Sequence, residues 1–295
     1  MSDIQHRSEL VFLYDVKYAN PNGDPMDANR PRIDEDSRQC LVTDVRLKRT
    51  IRDFLLRNGY SGNDGDIGDI FIRDVADKPV TGAKRAESYG DKNEFIQKFI
   101  DVRLFGGVSA AAKKKFNVTG PVQFGMGRSL HAVKENFIKG TGAFATKEGA
   151  EQRTFREEFN ISYGLIGFHG LINEQAASLT HLTTADLEYL LKGMWMGTKE
   201  LISRSKKGHM PRLLIKVDYE PGFYIGDLLE TLSLNLDGET EEEQLRDVTD
   251  FVLNTEELNV LLRKHEDKIK AVSVKMDDRL QLSAPIFKAS ELNID

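Results

Sequence analysis

The residue types in this chain most able to do chemistry are clustered cations. Lys48, Arg49 and Arg52 fall in one amphipathic stretch, and Arg30 and Arg32 flank Pro31 in the loop before it. Between Asp44 and Asn58, five bases (Arg46, Lys48, Arg49, Arg52, Arg57) stand against two acids, a local net charge of +3. Such a set suits a phosphate backbone, which guanidinium and ammonium groups neutralise without reading sequence. The plain alternative is a solvated helix face balanced by its own acids. The proline-stiffened, arginine-bearing loop alongside weighs against it. Lys113, Lys114 and Lys115 form a second cluster, for which an exposed loop is the plain alternative.

Other chemistries find little support. The six histidines (6, 131, 169, 181, 209 and 265) are never spaced i, i+3 or i+4, and Cys40 is the one cysteine. A structural zinc site is therefore not expected. His169 falls on the apolar face of a strand and reads as a core histidine. The run Asn20–Asp24 alternates oxygens as a calcium loop does, but Gly23 is at the wrong offset and Pro31 stands where the closing glutamate belongs. There is no P-loop, dinucleotide fingerprint or nucleophile elbow. No metal or cofactor is expected.

The cations need elements to hold them. Residues 9–18 alternate, with Leu10, Phe12, Tyr14, Val16 and Tyr18 on one face and Glu9, Asp15 and Lys17 on the other, which predicts a half-buried strand. A long loop rich in Pro, Gly, Asn and Asp follows, and loops of that length in a compact domain usually have a job. Thr43 as N-cap and Gly59 beyond the end bound a helix. Its Leu47, Ile51, Phe54 and Leu55 gather on one side, with Lys48, Arg49 and Arg52 roughly 120° away. Residues 61–94 carry no clear core signal and read as an insertion. Residues 132–157 are polar and aperiodic, an exposed hairpin or arm. Residues 159–171 and 212–219 read as strands, with Gly164, Gly167 and Gly170 marking bends or close backbone approach. Residues 184–202 read as the strongest helix and 237–268 as two weaker ones. Residues 271–276 and 279–284 read as a closing hairpin. The order is that of an α+β fold with large insertions.

At 295 residues, 40% hydrophobic and 30% charged, the chain is one large domain or two small ones with a substantial core. No apolar run reaches about 18 residues, and the N-terminus has no apolar signal region, so neither a membrane span nor secretion is expected. A lone thiol fits a reducing cytoplasm. The net charge of −6 argues against a nucleic-acid binder until its distribution is read. Asp237–Glu257 holds nine acids and one base, leaving the remainder at +2.

The stretch NPNGDPMDANRPRID with LVTDVRLKRTIR, within Asn20–Arg52, resembles the backbone subunit of type I CRISPR Cascade complexes, closest to the I-B branch with I-C next. DVRLFGG at 101–107, GPVQFGMGRSL at 120–130, YGLIGFHG at 163–170 and SRSKKGHMPRLL at 203–214 agree with it, in order, over most of the chain. The resemblance implies one modified RRM-like (ferredoxin-like) palm over 1–295. Residues 61–94 would be a finger insertion, 132–157 a thumb arm and 221–270 an acidic helical insertion. It implies several copies polymerising head-to-tail along one CRISPR RNA beside other Cascade subunits. Each copy would grip a short backbone segment while its thumb displaces one base, and target DNA would pair with the exposed guide.

Carried over residue by residue, the implied RNA contacts are Arg30, Arg32, Lys48, Arg49 and Arg52, then more weakly Arg128, Ser129, Arg204, Ser205 and Arg212. The aromatic RNP1 pattern of ordinary RRM domains is missing, which favours phosphate gripping over stacking on the sheet. Since the guide reads sequence by pairing, the protein needs no base readout. An acidic face meeting the next copy's basic face would give 237–257 a use; a solvated insertion is the plain alternative.

The competing class is an enzyme. Related folds process CRISPR RNA with a histidine or other general acid/base, and backbone subunits of another CRISPR type cut target RNA with a loop aspartate. Asp24, Asp27 and Asp34 in the first loop keep that reading open. A third class is a transcription or repair scaffold that binds single strands.

Overall fold

The computed structural model describes residues 4–75, 80–87, 91–109, 116–145 and 153–294. Among them one mixed sheet is built from β1 (Ser8–Ala19), β2 (Gln39–Val42), β3 (Val122–Phe124), β4 (Gly127–Ala132), β5 (Glu135–Ala145), β6 (Arg153–Ile172), β7 (His209–Tyr219), β8 (Ile269–Met276) and β9 (Ala289–Glu291). The order is β9–β8–β7–β1–β6–β4–β2, with β3 and β5 also pairing β6. All pairs are antiparallel except β8 with β9. The α+β expectation holds.

Helices cover one face. Helix α1 (Asp44–Arg57) starts at Thr43, whose hydroxyl accepts from the Arg46 amide at 3.3 Å. Helix α2 (Thr184–Lys199) starts at a Thr183/Asp186 capping box, which satisfies two otherwise orphaned amides. Leu47, Ile51, Phe54 and Leu55 of α1 and Leu190, Leu191 and Met194 of α2 pack with Leu10, Phe12, Tyr14 and Val16 of β1.

The opposite face is covered as well, which corrects the half-buried reading of β1. Val11 and Leu13 meet Leu213, Ile215, Leu229, Leu245, Val248, Phe251 and Leu258 in a second core. Glu9 and Asp15, expected on a solvent face, are buried. The cover is the chain from 221 to 287. Its first expected helix is instead a short 3-10 turn (Glu242–Gln244) and a small ladder of Ser233–Asn235 with Val252–Asn254. The second forms as α3 (Glu256–Lys264). Residues 279–284 are no strand; Leu280 is buried in the second core and Leu282 bridges Leu253.

Strand β6 does two jobs. Ile161–Ile172 pairs with β1, and Arg153–Ile161 runs out of that ladder to pair with β5 as a hairpin. Residues 146–152 and Lys113–Lys115 lie outside the described residues. The end of β1 is pinned by Gly208, whose carbonyl accepts from the Lys17 amide at 3.0 Å. A Cβ there would sit 2.1 Å from the Lys17 carbonyl oxygen, so only glycine fits without a shift. The next residue, Tyr18, leaves the strand pattern with φ +47° and an exposed ring.

Residues 61–105 carry more core than their composition suggests. Phe71, Ala86, Phe95, Ile96, Phe99, Val102 and Val118 form a satellite core. The buried Asp101 ties it to α1, accepting from the Phe71 amide (2.7 Å), the Ile72 amide (3.1 Å) and Arg52 Nε (2.8 Å). Arg52 therefore points inward, only 8% exposed, and is not part of a solvent-facing stripe. Breaking a buried pair strands the remaining charge. Arg52→Ala should cost about 3 kcal/mol or more in denaturant unfolding, whereas the exposed Arg49→Ala should stay within about 0.5 kcal/mol.

Candidate nucleic-acid interface

The first loop is held as a rigid shelf. Asn20 donates its amide to the Ser205 carbonyl (2.9 Å) and its side chain to the Asn29 carbonyl (2.7 Å). Asn22 Oδ1 accepts from both the amide and hydroxyl of Thr43 at 2.9 Å, fixing the loop to the start of α1. Arg32 commits its guanidinium to the loop itself, with Nη1 on the carbonyls of Gly23 (2.6 Å) and Asn22 (3.2 Å). Arg30 reaches across to the hairpin root, donating to Glu135 at 3.0 and 2.6 Å and lying 5.0 Å over the Phe159 ring. Between loop and hairpin opens a cleft of about 450 Å³, lined by Arg30, Arg32, Arg38, Pro31 and Leu41 together with Asp24, Asp27, Glu35 and Glu135.

The remaining expected residues divide. Arg49 is exposed and pairs with Asp53 at 2.7 Å. Lys48 is mostly covered, 2.9 Å from Asp44 and packed over the Phe105 ring. Arg128 pairs with Glu230, and the exposed Arg204 pairs with Glu158 at 2.6 Å. Ser205 contributes its backbone carbonyl to Asn20. Ser129 and Arg212 are interior and need correcting as surface contacts. Ser129 Oγ accepts from the Cys40 amide (2.9 Å) and donates to the His131 carbonyl (2.6 Å), joining β2 to β4. Arg212 lies between Asp15 (2.9 Å) and Asp277. His169, read as a core residue, shares a 2.7 Å hydrogen bond with Glu9 at the edge of the second core.

The loop aspartates have structural work. Asp24 accepts from the Met26 amide at 3.0 Å, and Asp34 caps a turn by accepting from the amide and hydroxyl of Ser37 at 2.8 Å. The Ser37 amide and hydroxyl hold the Asp34 carboxyl below the usual carboxylate range. Asp27 is exposed, 3.9 Å from Arg30.

Sequence reading missed Arg38, Glu135 and Lys206. Arg38 lines the cleft and lies 3.7 Å from Glu243. Lys206 donates to the carbonyls of Asn20 and Pro21, clamping the hinge where β1 becomes the loop. Burial, and after it the charge of nearby Arg46, lowers its ammonium to about 7. A lysine within the SRSKKG turn was the available signal. Its partners are two carbonyls far away in sequence, which no local pattern reveals.

The overall fold of this chain, a mixed sheet closed on both faces, is shared with solved protein chains. One from a CRISPR RNA-guided surveillance complex superposes with a TM-score of 0.57 at 14% identity, covering 98% of this chain and 95% of that one. Another, from such a complex described as pre-nicking, gives 0.58 at 13% identity, covering 98% and 97%. The family model of the CRISPR-associated protein Cas7 matches residues 6–256. The CRISPR-associated protein Cas7 of Haloferax volcanii is 36% identical over 312 aligned positions, spanning 94% of this chain and 88% of that relative. The chain belongs to the Cas7 family. No helix among the described residues is long and apolar enough to cross a membrane.

The Lys206 clamp makes stability depend on pH. Between about 7 and 10.5 the unfolded chain holds a proton that the folded chain releases. The group's contribution to stability is therefore smallest near neutrality and grows as pH rises through that window. Denaturant unfolding across the window should show this rise in the wild type and lose it in Lys206→Met.

Proposed function

We propose that the chain is a repeating, non-catalytic backbone subunit of a type I CRISPR surveillance complex, of the I-B branch or, next to it, I-C. It binds CRISPR RNA, stacks head-to-tail with copies of itself and with other Cascade subunits in the cytoplasm, and presents the guide to target DNA. The sheet and its helices act as an RRM-like palm, residues 61–94 as a finger, 132–157 as the thumb and 221–270 as an acidic cover. The observation that carries this reading is the Arg30–Arg32–Arg38 cleft at the hairpin root of a Cas7-family chain. Arg30, Arg38, Arg49, Arg128 and Arg204 face solvent around the molecule, where phosphates can replace their carboxylate partners. Lys48 and Arg32 support the same surface. Ser205 acts through its backbone, while Arg52, Ser129 and Arg212 hold the interior. The turn-capping roles of Asp24 and Asp34 favour a binding subunit over an RNA-cleaving one.

The protein should copurify with RNA and leave labelled RNA uncut. Cleavage that disappears in Asp27→Asn would replace this reading with the enzyme. Each phosphate contact contributes about 0.7 to the salt dependence on a single strand. Combined Arg30→Ala, Arg38→Ala and Arg49→Ala changes should thus flatten the slope by roughly two units, alike for unrelated guide sequences. A folded triple variant with wild-type affinity and slope contradicts the assignment.

A further inference from the structure

The cleft carries at least as much acid as base. Its lining sets Arg30, Arg32 and Arg38 against Asp24, Asp27, Glu35 and Glu135, three cations facing four carboxylates. Empty, it has no net positive charge with which to draw in a phosphate. Each arginine already has a carboxylate neighbour, and these neighbours come from separate elements. Asp24, within the loop, lies 3.5 Å from Arg32. Glu243, on the acidic cover, lies 3.7 Å from Arg38. The adjacent Glu242 accepts from the Ala132 amide at 2.6 Å, which holds that part of the cover against the hairpin root. The closest of the three pairs is on β5. Glu135 takes the Arg30 fork at two points, 3.0 and 2.6 Å, the geometry in which a guanidinium also takes a phosphate. Arg30 rests over the Phe159 ring, itself stacked on Phe137 with centroids 4.7 Å apart. The Arg30 side chain is 43% exposed against 18% for Glu135, so an incoming anion can reach the guanidinium while the carboxylate still holds it.

We propose that Glu135, with Glu243 as a weaker second, is a gate on the cleft. Its carboxylate stands in for a phosphate on Arg30, and a strand binds only by displacing it. The proposal rests on the RNA-gripping reading of the cleft. Displacement carries a fixed cost for each copy. A continuous strand offsets that cost with contacts elsewhere on the surface, whereas a short fragment held by the cleft alone does not. The gate therefore favours long strands over stray fragments. It does so without reading sequence, because phosphates carry none. Exposed ion pairs are weak and screened by salt, so the gate lowers affinity without abolishing it.

The test measures binding of the full chain, freed of copurified RNA, to a long mixed-sequence single-stranded RNA and to a short fragment of it. Glu135→Gln keeps the side-chain shape and one acceptor but loses the charge. It should bind both strands about five-fold more tightly, at the wild-type unfolding midpoint. Glu243→Gln, more exposed and farther from its arginine, should gain about two-fold. In an Arg30→Ala background Glu135→Gln should lose most of its gain, because the two side chains act as one pair. Folded Glu135→Gln that binds no tighter than wild type overturns the gate, and weaker binding makes the pair a brace that positions Arg30. The full gain persisting without Arg30 also overturns it, since Glu135 would then act by general repulsion. If Glu135→Gln does not fold, Glu243→Gln decides, and no gain there overturns the proposal. A wild-type chain that binds no RNA overturns the cleft reading, and the gate with it.

Discussion

Glu9 and Asp15 point from the middle strand of the sheet into an interior closed on every side, and the donors they require fix the surrounding chain. Glu9 shares a hydrogen bond with His169 (2.7 Å) and accepts from the Tyr219 hydroxyl (2.6 Å) and the amides of Ile225 (3.1 Å) and Gly226 (3.0 Å). Burial pushes its carboxyl up, but the hydrogen bonds from His169, Gly226 and Tyr219 outweigh that and hold it below the usual range. Asp15 has Arg212 at 2.9 Å and the Tyr163 hydroxyl at 3.3 Å, and there burial prevails and pushes the carboxyl up. A buried carboxylate without donors is among the costliest features a fold can carry. Because the donors come from β6, β7 and the turn after β7, those segments are held over the second face.

Closing that face decides where a ligand can go. Leu228, Leu245, Val248 and Phe251 occupy the surface on which an open sheet of this kind would stack bases. The acidic segment is therefore an apolar cover with a charged outer surface. Its outer acids reach back to the chain's own cations: Glu243 to Arg38, Glu230 to Arg128 and Asp247 to Lys17. The rim, where the shelf loop and the hairpin root meet, keeps an open cleft. Rim ion pairs exposed to water are weak and screened by salt, so phosphates can exchange for carboxylates there.

Local features were legible in the sequence, and long-range ones were not. The Thr43 cap, the apolar stripe of α1, the strands around 9–18 and 212–219 and the polar hairpin arise from neighbouring residues, and each element forms, although the first strand is buried on both faces rather than one. Arg30 and Arg32 line the cleft on either side of Pro31, held there by Glu135 and by the Asn22 and Gly23 carbonyls. Arg52 and Arg212 were misplaced because their partners, Asp101 and Asp15, are far away in sequence. The spacing of Leu245, Val248 and Val252 mimics a helical face, yet Leu245 and Val248 enter the second core from turns, and in the short strand that follows it is Leu253, not Val252, that does so. Phe137 went unnoticed because an aromatic residue in a polar, aperiodic stretch has no periodicity to flag it. Only the strand register places it beside Phe159.

The central claim is that a single strand lies along the rim between loop and hairpin and never on the sheet. Ultraviolet cross-linking of bound RNA, followed by mass-spectrometric mapping of the adducts, tests it most directly. Adducts should concentrate in residues 22–41 and 134–161. Adducts on β7, on β8 or within 221–264 would mean that the cover opens and the sheet face binds the strand, which would contradict the account.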